Sequence, residues 1–224
     1  RGLGDVYKRQ ALPRNEAFRI EYWLLEEAKL QRMPPPKPLS GKVVLVTGSG
    51  GGIGKAIARK MAAEGACVVL SDIHPERLQQ TLSAFQQEFG KDVVRAVPLN
   101  VTDASSIQKA FQQMVVQFGG IDVLVNNAGI SISKTLLEHT ESDWDQLYAI
   151  LAKGQFLVTQ QAVALFRQQG MGGDIVNIVS KNALAAGPNN TAYGSAKAAQ
   201  LHLSRLLAAE LGPDHIRVNV INPD

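Results

Sequence analysis

The sequence predicts an α/β fold: a doubly wound parallel sheet with helices on both faces (Rossmann-type), C-terminally truncated. Three observations carry that expectation. Short β-branched runs alternate with segments of helical periodicity along most of the chain. The strand-like runs are apolar throughout, as strands covered on both faces require. The first of them, Val43 to Thr47, runs straight into a glycine-rich turn and a helix, so that Val43 to Gly54 reads VVLVTGSGGGIG.

In chain order, the opening residues stand apart. Asp5-Val-Tyr-Lys-Arg-Gln10 resembles the translation of a transposase sequencing adapter, so residues 1–10 are expected to be an artefact; a natural polar tail is the alternative. Residues 11–38 read as a helix and proline-rich linker from an upstream domain. Asn15 is placed to cap a helix to Met33 whose Phe18, Tyr22, Leu25 and Ala28 share a face. Pro34-Pro-Pro-Lys-Pro38 then stops it and forms a stiff spacer. Trp23 and the other aromatics favour packing on a missing partner domain over simple decoration of a single-domain enzyme. Residues 39–224 form the main domain, expected to be incomplete because the chain stops at Asp224, directly after a predicted strand.

Within that domain the first helix covers Lys55 to Glu64, followed by strand Cys67 to Asp72 and a helix from Pro75 to Phe89. Strand Val93 to Leu99 precedes a helix from Ser105 to Phe118, with Asp103 as its cap. Strand Ile121 to Val125 leads to a long helix, Ser142 to Gln169. Strand Asp174 to Ser180, a loop, a helix from Thr191 to Leu211 and strand Ile216 to Ile221 complete the series. Right-handed crossovers place ligands at the carboxyl ends of such strands.

Bulk properties narrow the function. The chain has 224 residues, 45% of them hydrophobic, which suffices for one sizeable core. The net charge of +3 is slight, and no basic stripe is interleaved with aromatics, so no nucleic-acid partner is expected. No apolar run has the length of a membrane span and no signal peptide opens the chain, so no membrane is expected. The single cysteine, Cys67, lies in a predicted buried strand, which makes a cytoplasmic setting the default. His74, His139, His202 and His215 have no ligand spacing, so no metal is expected. The glutamine-rich helices read as solvated faces.

The candidate site begins at the glycine turn. Its spacing is Gly48-x-x-x-Gly52-Ile53-Gly54 rather than a strict G-x-G-x-x-G. Glycines let the backbone approach a pyrophosphate, while free amides and the helix dipole face it. Asp72 ends the second strand, eighteen residues beyond Gly54, where a carboxylate accepts from both adenosine ribose hydroxyls and repels a 2′-phosphate. NAD is therefore expected as cofactor, although an Asp after a strand also serves as a turn residue; Arg77 lies too far into the next helix to reverse this. Tyr193 and Lys197 are one helical turn apart on a shared face. A free phenol, with a pKa of about 10, is a poor base near neutrality. A neighbouring ammonium and a positive nicotinamide ring favour the phenolate. Lowering a phenol's pKa by about 3 units takes roughly 4 kcal/mol, within reach of two desolvated positive charges. Ser180 ends a strand where a hydroxyl can hold the substrate oxygen, or merely cap the turn. Lys181 and Asn182 beside it either meet substrate or line the loop. Asn126-Asn127-Ala128-Gly129 follows the central strand, where small residues pass close to a cofactor and amides pin neighbouring strands.

Thr47-Gly48-x-x-x-Gly52-Ile53-Gly54, Asn126-Asn127-Ala128-Gly129 and Tyr193-x-x-x-Lys197, in this order and separation, resemble the signatures of short-chain dehydrogenases/reductases over residues 39–224. The resemblance implies Tyr193 as general base, Lys197 as its electrostatic partner and holder of the nicotinamide ribose, and Ser180, thirteen residues before Tyr193, as the catalytic serine. It implies cofactor contacts at Gly48, Gly52, Ile53, Gly54, Asp72, Asn100, Val101, Asn126, Ala128, Gly129, Tyr193 and Lys197. More finely, the chain looks like the carboxyl-terminal half of bifunctional aldolase/short-chain dehydrogenases of rhamnose catabolism, with Leu-Ala-Lys-Gly-Gln-Phe at 151–156 part of that likeness. That implies a covalently linked upstream aldolase domain, which would carry its own metal, and a lactaldehyde-like substrate. The family also pairs subunits through two long helices, here Ser142–Gln169 and Thr191–Leu211, so a homo-oligomer is expected.

Three positions depart from the family pattern. Leu151 replaces an asparagine that binds a proton-relaying water, so the relay must differ or activity is weakened, unless a backbone carbonyl in a locally kinked helix holds that water. Asn100-Val101 stands for the usual Asp-Val at the adenine amine, where the asparagine carbonyl is expected to accept the same hydrogen bond. Pro223-Asp224 replaces Pro-Gly. The expected function is NAD-dependent oxidation of a small hydroxy compound or hydrated hydroxyaldehyde; a hydrate presents the hydroxyl that Tyr193 deprotonates, so no thiol is needed. Leu151 favours the alternative, a non-catalytic dinucleotide-binding subunit for assembly or sensing. An extended-type epimerase or dehydratase generally has a Gly-x-x-Gly-x-x-Gly turn instead.

Overall fold

The computed structural model describes residues 24–32 and 35–224. The chain divides into two units, one ending at Pro36 and the other covering Lys37–Asp224. In the first, α1 (Leu24–Arg32) carries an exposed Lys29–Glu26 pair at 2.8 Å. The adapter-like residues, the Asn15 cap and Phe18, Tyr22 and Trp23 lie outside the described residues.

The second unit alternates strand and helix. Its elements are β1 (Val43–Thr47), α2 (Gly52–Ala63), β2 (Cys67–Asp72), α3 (Pro75–Phe89), β3 (Val94–Pro98), α4 (Ala104–Phe118) and β4 (Val123–Asn126). Then come α5 (Glu141–Tyr148), a π turn (Ala149–Lys153), α6 (Gly154–Gln169), β5 (Gly173–Ile178), α7 (Thr191–Leu211) and β6 (Ile216–Ile221). All six strands are parallel, in the order β3-β2-β1-β4-β5-β6. The chain winds outward from β1 on one side and from β4 on the other, leaving a crevice between their carboxyl ends.

Each sheet face has its own core. Ala58 and Ala62 of α2 and Leu78 and Phe85 of α3 pack on Val44, Val46, Val68 and Leu70. On the other face Ile107 and Phe111 of α4 and Val158 and Phe166 of α6 cover Leu45, Val69, Leu124 and Ile175. The inward positions of β1 and β2 are buried on both faces, which is why these runs are apolar throughout. Apolar burial of this kind contributes about 25 cal/mol per Å² and is the main favourable term in folding.

Several element ends differ from the sequence reading for identifiable reasons. The first helix starts at Gly52, inside the glycine run, rather than at Lys55. β4 begins at Val123 rather than Ile121; Asp122 just before it ties the sheet's lower edge, its carboxylate accepting from the Val43 amide at 2.8 Å and from Lys42 Nζ at 3.0 Å. β5 ends at Ile178, so Ser180 lies beyond the strand. The long helix is not continuous. Gly154 donates to the Ala149 carbonyl, five residues back, and the extra residue makes a π turn between α5 and α6. The run Glu141–Gln169, 29 residues, is long and apolar enough to cross a membrane by composition, contrary to the sequence reading, but half of its most apolar window is buried within the protein. A helix that covers a sheet face is apolar for that reason. Cys67 is half-buried rather than buried, because it opens β2 at the sheet's rim.

Candidate active site

A cleft of about 1030 Å³ lies over the carboxyl ends of the strands, and Gly48, Tyr193 and Lys197 are all in its lining. Its floor at the amino-terminal side is the glycine turn. Gly48 has a left-handed backbone (φ +65°), and a side chain there would meet the Ala128 backbone at 2.9 Å. A side chain on Gly54 would collide with the Gly48 carbonyl. Gly51 and Gly52, by contrast, have open space where a side chain would stand. Gly51 caps α2 without any side-chain acceptor, and no acidic residue lies in the helix's first turn. The first-turn amides are thus left for an anion, with the helix dipole behind them.

The turn is fastened from two sides. Thr47 Oγ1 accepts from the Asn127 and Ala128 amides at 2.9 and 3.0 Å and donates to the Val125 carbonyl at 3.3 Å. Asn127 Nδ2 donates to the Thr47 and Gly48 carbonyls at 2.9 and 3.1 Å. On the other side Asp72 accepts from the Gly50 amide at 2.9 Å with one oxygen and from the His74 amide at 2.9 Å with the other. Each oxygen keeps a further lone pair toward the cleft, which Asp72 lines. Arg77 is closer than its sequence position suggested. It lines the same cleft, and its Cβ would lie 3.2 Å from a side chain on Gly50, because α3 begins immediately after β2 and folds its first turn back over the glycines.

Asn100 and Val101 line the cleft's flank. The Asn100 side-chain carbonyl accepts from the Thr102 amide at 3.0 Å and from Thr102 Oγ1 at 2.8 Å, so both its lone pairs are taken. The Asn126 side chain is turned away from the cleft into the interior, where Nδ2 donates to Thr159 and Asn177. Gly52, Ile53, Ala128 and Gly129 are in the lining; Gly54 and Asn126 stand behind it.

Ser180, Tyr193 and Lys197 all line this cleft. Ser180 follows β5 and accepts from the Asn182 amide at 3.2 Å, which orients its hydroxyl and starts a short 3₁₀ turn. Tyr193 and Lys197 project from the first turns of α7, and Lys197 Nζ lies 5.8 Å from the tyrosine ring centroid. Lys197 is 5% exposed, and its Nζ donates to the Ile178 carbonyl at 3.0 Å. Burial pulls its pKa down to about 8. Leu151, fully buried at the π turn, packs with Ala192, Ala196 and Tyr193. Lys181 and Asn182 both line the cleft, with Lys181 paired to Asp224. Sequence reasoning passed over Gln146 of α5 and took Asn127 only as part of a motif, yet both face the cleft. Asn127 had a signal, its place in the Asn-Asn pair; Gln146 had none.

The short chain dehydrogenase family pattern matches residues 42–224. The chain is 41% identical over 214 residues to the uncharacterized oxidoreductase YuxG of Bacillus subtilis, covering 96% of this chain but 31% of that protein. It is 40% identical over 185 residues to the 3-oxoacyl-acyl-carrier-protein reductase FabG of Thermotoga maritima, covering 83% of this chain and 74% of the relative. Among solved structures, a short chain dehydrogenase from Mycobacterium smegmatis superposes with a TM-score of 0.79 at 36% identity, over 83% of this chain and 77% of the other. With its parallel six-stranded sheet and nicotinamide-dinucleotide type of crevice, the chain belongs to the short-chain dehydrogenase family of oxidoreductases.

Proposed function

We propose that the domain oxidises a small hydroxy compound or hydrated hydroxyaldehyde, with NAD as hydride acceptor and Tyr193 as general base. The observation that carries this reading is that Ser180, Tyr193 and a buried Lys197 line the same cleft as a glycine turn with no side-chain cap. The residues fit a dinucleotide: open space at Gly51 and Gly52 and the free first-turn amides of α2 suit a pyrophosphate. Asp72 suits the adenosine ribose, and its charge disfavours a 2′-phosphate; Arg77 beside it is the one feature that pulls the other way. The first contacts with adenine fall to the Asn100–Val101 backbone or Asn100 Nδ2, since the Asn100 carbonyl is committed to Thr102.

When bound, the cofactor supplies the hydride acceptor and a positive ring. Tyr193 takes the substrate hydroxyl's proton, and Lys197, held by the Ile178 carbonyl, stabilises the phenolate by charge. Ser180 holds the substrate oxygen while that proton moves. Leu151 offers no side-chain hydrogen bond beside Tyr193, and the Ile178 carbonyl anchors the Lys197 amine without taking a proton from it.

The parent protein is read as a bifunctional aldolase/dehydrogenase acting on a lactaldehyde-like compound. The aldolase reading rests on the likeness that includes residues 151–156; the alignment with the much longer Bacillus protein adds only that it is longer than residues 39–224 and so reaches into the segment before the domain. Exposed Phe156 on α6 and Leu206 on α7 suit pairing of two copies through these helices. Leu151 is the observation that favours the second reading, a dinucleotide-binding subunit without turnover.

The test is NADH formation by the protein expressed from its complete reading frame, with lactaldehyde and related small alcohols offered. Tyr193→Phe is expected to lower kcat by about 10²–10⁴-fold while NAD still binds. Tight NAD binding with no turnover on any of these compounds would support the non-catalytic reading instead.

A further inference from the structure

Below the cleft, polar side chains form a connected chain through the interior. Asn126 Nδ2 donates to Thr159 Oγ1 and to Asn177 Oδ1, each at 2.9 Å. Asn177 Nδ2 donates to Ser204 Oγ at 2.8 Å, and Gln155 Nε2 reaches the same oxygen at 3.3 Å. Ser204 gives its own hydrogen to the Gln200 backbone carbonyl, 2.7 Å away. That bond fixes the orientation of the Gln155 amide. Ser204 Oγ has only acceptor capacity left, so Gln155 must present nitrogen to it. Gln155 Oε1 then points elsewhere, and it has no hydrogen-bond partner in the protein. Gln200 Oε1 is a second buried acceptor in the same condition. The two residues are 4% and 2% exposed, and bare amide oxygens at such depth are costly and uncommon.

Both glutamines line one small cavity of about 10 Å³, whose wall is completed by Thr47, Val101, Asn126, Ala128, Ile150 and Gly154. That is about the space of one water molecule. We propose that this cavity is a water-binding site in which a single water donates its two hydrogens to Gln155 Oε1 and Gln200 Oε1. The number of donors matches the number of orphaned acceptors. Thr47 Oγ1 does not compete, because its own hydrogen and both lone pairs are already used by Val125, Asn127 and Ala128. Two carbonyl oxygens repel an anion, and they are too few to replace the hydration shell of a metal ion. The volume excludes anything larger.

The placement gives the water a structural task. Gln155 opens α6 just after the π turn, and Gln200 lies on α7 one turn beyond Lys197. The bridge joins these two helices next to β4, away from the wall formed by Tyr193 and Lys197, neither of which lines the cavity. Val101, Ala128 and Ile150 line both this cavity and the cleft, so the water sits directly behind the cofactor's place without touching Tyr193 or Lys197.

A high-resolution crystal structure of the full-length protein, alone and as Gln200→Met, tests it. One ordered water within hydrogen-bond distance of both Oε1 atoms is expected in the wild type. Gln200→Met is expected to lose it and to unfold at a lower urea concentration. A dry cavity overturns the proposal, as does an amide flip that pairs Gln200 Nε2 directly with Gln155 Oε1. A rise in the urea midpoint for Gln200→Met also overturns it, since relief of an unsatisfied acceptor would act in that direction. If the variant does not fold, the wild-type density alone decides.

Discussion

Gly50 and Asp72 show how little room a single residue has in this crevice. A methyl group on Gly50 would lie 2.7 Å from Asp72 Oδ2 and 2.9 Å from its Cγ, so the carboxylate has to move. Gly50→Ala is therefore expected to weaken NAD binding, read by titration calorimetry, and to cost about 1–3 kcal/mol in urea unfolding through overpacking. Lys197 sets a different residue-scale expectation. Burial lowers its pKa from 10.5 to about 8, so between these values the unfolded chain holds more protons than the folded one. Stability from this group then rises as pH climbs from about 8 toward 10.5 and is lowest while the buried amine is charged. Lys197→Met is expected to flatten that rise in unfolding measured over a pH series. Site residues with fixed spacing, such as Tyr193 and Lys197 on one helix face, were legible in the sequence. The commitments of Asn100 to Thr102 and of Asn126 to Thr159 and Asn177 were not, because either asparagine can turn toward a ligand or a neighbour until the fold decides.

At the scale of elements, punctuation decided what was legible. α3 runs from Pro75 to Phe89 as the sequence indicates, with proline in its first turn and Gly90 stopping it at φ +96°. Asp103 caps α4 by accepting from the Ser105 amide, as its position predicts. The π turn carried no such mark: Ala149-Ile-Leu-Ala-Lys153 contains ordinary helix residues, and the bulge appears only in its hydrogen bonding. α5, which leads into it, is firmly anchored. Thr140 and Asp143 form a reciprocal capping box, and Lys134 pairs with Asp143 at 2.7 Å. That pairing, together with the Thr140 hydrogen bonds, holds the Asp143 carboxyl well below its usual range. Thr140→Ala is expected to cost about 1 kcal/mol in urea unfolding, with faster amide exchange confined to α5.

For the whole molecule, the alternation of strands and helices was enough to specify a parallel sheet covered on two faces, because only right-handed crossovers bury both sets of apolar residues. What it did not specify is how the layers are joined. The interior chain from Asn126 through Asn177 to Ser204 ties β4, β5 and α7 together with polar groups placed among apolar neighbours, and no periodicity announces it. The two-sided core and this polar seam together fix where α7 stands, and with it the wall that carries Tyr193 and Lys197.

The sixth strand closes the sheet on one side only. β6 pairs with β5, and among the described residues nothing pairs with its outer edge, where Ile221 is 51% exposed. An open row of amides and carbonyls beside aliphatic side chains is a template for strand addition. A polypeptide limited to these 224 residues should therefore stick to its own copies rim to rim, its scattering mass climbing with concentration. Ile221→Lys, which sets a charge on that rim, should hold it to a smaller and concentration-independent size.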